Sequence, residues 1–205
     1  MGRRISVYVV GLAITALGIA LVILSTVGTG PWDTVAIGLN LHLGLTIGTW
    51  SMISQACLVL ITGVIEKRRP RYEAIIPIVI RSFFLDTWVY VVFGNVHFSS
   101  WEMQWLSLLL GVILSGVGIG IYMEARFPKT PVDGLMAALQ NRFGWSMNMS
   151  RLVIEISGVL IGFLLGGPVG AGTLVIALSL GKIIQTTNGA IKRKFHKEQV
   201  YLSNS

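Results

Sequence analysis

Six stretches of about twenty predominantly apolar residues run through this chain, and a helix of that length is what crosses a bilayer core. They cover 5–27, 46–65, 74–94, 103–123, 149–166 and 172–190. In lipid each backbone polar group must be bonded within its own segment, so repeated long apolar runs predict an all-α membrane protein. Charge content agrees. Charged residues make up 12% of the chain, against about 25% in a soluble domain. So few charges cannot cover a water-facing surface.

The connections orient the spans. Arg3, Arg4, Lys67, Arg68, Arg69, Arg71, Arg126, Lys129, Arg142, Lys192, Arg193, Lys194 and Lys197 all fall on one side of a six-span path. The segments on the other side (28–45, 95–102 and 167–171) hold no Lys or Arg. Basic loops stay in the cytoplasm, so both termini are expected there. The formal net charge of +7 is therefore read as topology and not as nucleic-acid binding. Trp32, Trp50, Trp101 and Trp105 are expected near the outer interface and Trp145 near the inner one.

The chain also aligns with itself, without a gap, at an offset of 100. Gly11, Gly18 and Ile19 lie over Gly111, Gly118 and Ile119. Pro31 and Asp33 lie over Pro131 and Asp133, Gly44 over Gly144, and 59–61 over 159–161. Each unit holds three spans, and an odd number of crossings inverts the second unit relative to the first. The expected fold is a single transmembrane domain, 1–198, of two inverted three-helix repeats at about 5–95 and 103–190. Residues 199–205 form a short tail end. Each repeat carries a short interrupted or re-entrant helix after its first span. Gly30-Pro31-Trp32-Asp33 and Thr130-Pro131-Val132-Asp133 open these segments, because Pro suits the first helical position and Asp the positive helix end. Capped surface helices joining two spans are the alternative reading.

The Gly-rich first span, the Pro-x-Asp turn and the run 170–185 (GAGTLVIALSLGKIIQ) together resemble the YczE/YitT-type bacterial membrane proteins. The resemblance covers nearly the whole chain. It implies an inner-membrane protein with duplicated halves and carries no substrate or site with it.

Five ionisable residues fall within the spans: Arg81, Asp86, Arg151, Glu155 and Lys182. Such residues usually face a bundle interior, where they pair or function. Arg151 and Glu155, four apart on one helix, can pair. Asp86 and Lys182 sit in equivalent spans, and pairing between them would put a charge pair on the pseudo-two-fold axis. Asp33, Asp133, Arg81, Asp86, Glu155 and Lys182 are the candidate binding or coupling residues. The expected function is a small secondary transporter or permease for a small anionic or zwitterionic solute, working by alternating access at the repeat interface. An accessory membrane protein that binds a partner in the bilayer is the alternative. No enzymatic motif is present, the lone Cys57 and three scattered His suggest no metal or cofactor, and the chain is small enough to work as a homodimer.

Overall fold

The computed structural model describes residues 2–70, 72–125, 127 and 130–203, without the side chains of Arg3 and 193–203. The basic residues Arg71, Arg126 and Lys129, and the end of the tail at 204–205, lie outside the described residues. Among those described, the chain is helical with no strand. The helices are α1 (Gly2–Ser25), α2 (Pro31–Leu43), α3 (Ile47–Glu66), α4 (Ile75–Asp86), α5 (Trp101–Glu124), α6 (Pro131–Phe143), α7 (Met147–Leu164) and α8 (Ala171–Ser203). A 3-10 turn, Tyr72–Ala74, leads into α4, and a π-helical stretch, Thr87–Val92, follows it. Six helical segments are long and apolar enough to cross a membrane, one for each expected span.

Local chemistry sets the boundaries. Thr46, Ser100 and Ser146 are N-caps whose side chains accept from the N–H three residues on, at Thr49, Met103 and Met149. Pro31 and Pro131 open α2 and α6 at the first helical position, where a missing N–H costs nothing. Both helices stop at a glycine with positive φ, Gly44 at +67° and Gly144 at +68°, which an L side chain would strain.

The centre is the antiparallel pair α1–α5. Between membrane helices there is no hydrophobic drive, so close backbone approach must supply the packing. Four glycines allow it. A Cβ on Gly11 would lie 2.7 Å from the Tyr122 backbone, and one on Gly118 would lie 2.5 Å from Thr15. Gly18 abuts Ser115, and a Cβ on Gly111 would lie 2.7 Å from the Gly18 carbonyl oxygen. Ser107 adds a hydrogen bond to the Leu21 carbonyl, 2.8 Å.

The other helices flank this pair. α4 packs on α1, and α8 packs on α5. α2 lies between α3 and α7, and α6 also packs on both α3 and α7. Leu58, Leu135, Leu139 and Ile154 form one apolar cluster there, with Trp32 and Val132 against it. Ala16, Ile19, Ala20, Ala36, Ile37, Ile47, Leu85 and Val89 form another, joining α1, α2, α3 and the α4 region. α3 packs on α4, but α7 and α8 do not pack along their lengths.

Candidate functional site

The two short helices begin beside the middle of their neighbours. Along α7, Gly158 meets Pro31 and Trp32, Gly162 meets Thr34, and Gly38 meets Leu165. The start of α2 is therefore about 10 Å inside the end of α7, at 1.5 Å per residue, and α2 runs out toward that end. α6 does the same along α3, with Leu135 and Leu139 against Leu58 and Gly134 near Thr62. Trp32, expected in an aromatic belt, is instead packed against the interior cluster, because Pro31 starts its helix inside the bundle.

Asp33 stands in the first turn of α2. Its carboxylate faces the Arg81 guanidinium of α4 at 4.0 Å, and both side chains are only 18% exposed. Arg81 also donates to the Ser51 hydroxyl of α3, 2.6 Å. Burial raises the Asp33 carboxyl above its ordinary value, and the Arg81 charge pulls it back down. The first turn of α2 is tied by its threonines: the Thr34 hydroxyl donates to the Gly30 carbonyl, 2.8 Å, and meets the Thr29 hydroxyl at 2.8 Å. No hydrogen bond from a free backbone N–H to the Asp33 carboxylate is found among the described residues, so it does not cap its helix as expected. In α6 Thr130 is the cap, accepting from the Asp133 N–H, while its hydroxyl donates to the Asp133 carboxylate at 2.9 Å. Tyr122 of α5 lies within electrostatic reach of both Asp133 and Arg81.

Two buried polar atoms on α2 and α3 lack a hydrogen-bond partner. One is the indole nitrogen of Trp32, a donor on the residue before Asp33 whose ring packs toward Gly158 of α7. The other is Gln55 Oε1, an acceptor one turn along α3 from Ser51. Buried polar groups are nearly always bonded, so unpaired ones mark where a water or a ligand belongs.

The other candidates are elsewhere. Asp86 does not pair with Lys182. It accepts from the Thr46 hydroxyl at 2.5 Å and the Gly48 N–H at 2.7 Å, closing the start of α3. The physical reason is placement: α4 lies on α1 and α8 on α5, so these residues sit on opposite flanks of the central pair. Glu155 accepts from Arg151 at 2.8 Å, the i,i+4 pair its spacing suggests. Lys182 is exposed on α8. Sequence reasoning missed Ser51 and Tyr122; a serine and a tyrosine among apolar residues carry no signal of their own.

A family model described as "Family of unknown function (DUF6198)" matches residues 2–189. The chain belongs to this family. It is 31% identical over 200 residues to the "Uncharacterized membrane protein YczE" of Bacillus subtilis, covering 93% of this chain and 92% of that one. It is 27% identical over 188 residues to the "Uncharacterized protein YyaS" of the same organism, covering 92% and 94%. A protein of Haemophilus influenzae is 31% identical over 194 residues, covering 95% and 87%. The YczE resemblance read from the motifs is thus borne out, and this DUF6198 chain is an integral membrane protein. No solved structure matches it.

Proposed function

We propose that the chain is a small secondary transporter or permease for a small polar solute, zwitterionic or anionic, bound where α2 begins. The observation that carries this reading is the partly buried Asp33–Arg81 pair; α2 and α3, which supply Asp33 and the Ser51 partner of Arg81, also carry two unpaired buried groups, the Trp32 N–H and Gln55 Oε1. A carboxylate and a guanidinium offer both charges of a zwitterion a partner, and the unpaired donor and acceptor offer two more hydrogen bonds. Asp33 is the group best placed to couple a proton, since Asp86 and Glu155 are already engaged in helix capping and in an ion pair.

The reading takes the fold as two inverted repeats about an axis in the membrane plane, with α2 and α6 as re-entrant half-helices. The contacts support this. Shifting numbers by 100 turns the contact of Gly11 with Gly118 into that of Gly111 with Gly18, and the contact of Gly18 with Ser115 into that of Gly118 with Thr15. The pairing of α2 with α7 becomes that of α6 with α3. Both termini are taken as cytoplasmic, from the sidedness of the basic residues.

Uptake into proteoliposomes across a panel of amino acids and small organic anions tests the proposal. The expected result is uptake of one class that falls at least tenfold in Asp33→Asn and Arg81→Gln. Absence of flux for every solute, with crosslinking that recovers one stoichiometric partner, would favour the accessory-protein reading.

A further inference from the structure

The two equivalent helix pairs differ. α3 and α4 are held together at three places: Arg81 reaches Ser51, and Asp86 binds both Thr46 and the Gly48 N–H. A Cβ on Gly48 would lie 2.5 Å from the Asp86 carboxyl carbon, so this last contact needs glycine. A hundred positions on, the partners have changed. Arg81 becomes Gly181, Asp86 becomes Thr186 and Gly48 becomes Asn148. Thr186 spends its hydroxyl on its own helix, donating to the Lys182 carbonyl at 2.8 Å. Asn148 puts a side chain where Gly48 has none. The seam between α7 and α8 therefore cannot close as its counterpart does, and those helices do not pack along their lengths.

The open seam is positively charged. Arg151 is 44% exposed and bonds Glu155, while its guanidinium also faces the bare backbone of Gly181 across the seam, 3.5 Å from where a Cβ would be. Lys182, the next residue, is exposed, and its ammonium has no hydrogen-bond or ion-pair partner among the described residues. Two cations thus share one carboxylate. The flanking surface is apolar: Leu152 and Ile156 on α7, and Leu174 and Leu178 on α8, are all more than half exposed. Gly181 faces Arg151, so Lys182 stands level with a residue only about 6 Å inside the start of α7 at Met147, and its four-carbon stem can carry the ammonium to the headgroup region.

We propose that the α7–α8 seam binds the anionic headgroup of a bilayer lipid, with Lys182 and Arg151 on the headgroup and the acyl chains along Leu174 and Leu178. Net positive charge selects an anion, and apolar walls beside it select one that carries hydrocarbon. A second copy of the chain docked symmetrically here would bring its own Lys182 and Arg151 against these, setting like charges together. Occupancy of this seam does not depend on whether a solute crosses at Asp33 and Arg81.

Native mass spectrometry of the full chain released from nanodiscs of equal phosphatidylglycerol and phosphatidylcholine, with matched acyl chains, tests this. The expected result is retention of phosphatidylglycerol several-fold above phosphatidylcholine. Lys182→Gln should lower that preference at least threefold and Lys182→Arg should keep it. The basic tail is common to all three proteins, so their difference reads Lys182 alone. Glu155→Gln, which frees the Arg151 charge, should raise the preference and gives a second readout if Lys182→Gln folds poorly. Equal retention of the two lipids, an unchanged preference in Lys182→Gln, or displacement of the lipid by millimolar inorganic phosphate would each overturn the proposal. The readout is bound lipid and not flux, so its failure is separate from failure of the transport reading.

Discussion

Gly48 of α3 and Asp86 of α4 meet with no room for a side chain between them: the Gly48 N–H donates to Asp86 Oδ1 at 2.7 Å. The carboxylate satisfies a free donor at the start of α3 and sits at the positive end of the helix, while the Thr46 hydroxyl binds its second oxygen. Gly48→Ala should push the two helices apart and lower stability by about 1–3 kcal/mol, the usual cost of overpacking. Thermal unfolding of the purified chain in detergent measures it.

Asp86 acts on α3 and not on Lys182. Asp86→Ala should cost about 1–3 kcal/mol by leaving buried donors unpaired. Lys182→Ala should change stability by less than about 0.5 kcal/mol, as at other sites without partners. In the double variant the two effects should add; a coupling above about 0.5 kcal/mol would mean that the residues interact after all.

The central glycines offer a test of the inverted symmetry. Gly18→Val and Gly118→Val place the same bulk at contacts that correspond under the shift of 100, against Ser115 and Thr15. Both should destabilise by about 1–3 kcal/mol and to a similar degree, since each forces α1 from α5. Gly2→Val, where a Cβ meets nothing within 4 Å, should be neutral. A large difference between Gly18→Val and Gly118→Val in melting temperature would argue against equivalent packing.

At the Asp33–Arg81 pair, stability and function should separate. Arg81→Gln leaves a buried carboxylate without its counter-charge, and breaking such a pair costs about 3–5 kcal/mol when burial is complete and less at 18% exposure. Adding Asp33→Asn removes the stranded charge, so the double variant should regain most of the melting temperature. Uptake should not return, because both recognition charges are gone. Recovery of uptake in the double variant would exclude the pair from the binding site.

The sidedness can be read by labelling. In a Cys57→Ser background, Phe98→Cys should react with an impermeant maleimide added to intact cells, while Arg69→Cys should react only after permeabilisation. The reverse pattern would place the basic loops outside.

Much of the architecture was legible along the chain because it depends on quantities that are local. Apolar run length set the six spans, and Pro31 and Pro131 marked the two short helices. The site was legible only in part. Asp33 was singled out at a helix start and Arg81 as a charge within a span, and the two meet. Ser51, Tyr122 and the idle Trp32 nitrogen gave no warning, because their significance is who stands opposite them.

Charge and hydropathy along the chain were enough to establish the solvent and the number of spans, since lipid imposes one rule on every residue that enters it. Partners were another matter. Asp86 and Lys182 look like a pair on paper, being opposite charges in equivalent spans, yet one closes α3 against α4 and the other faces outward from α8. The α1–α5 contact lies between them, and a helix's side chains can meet only what packing places across from them. Tertiary packing therefore chose Arg81 for Asp33 and Gly48 for Asp86, and left Lys182 without a partner.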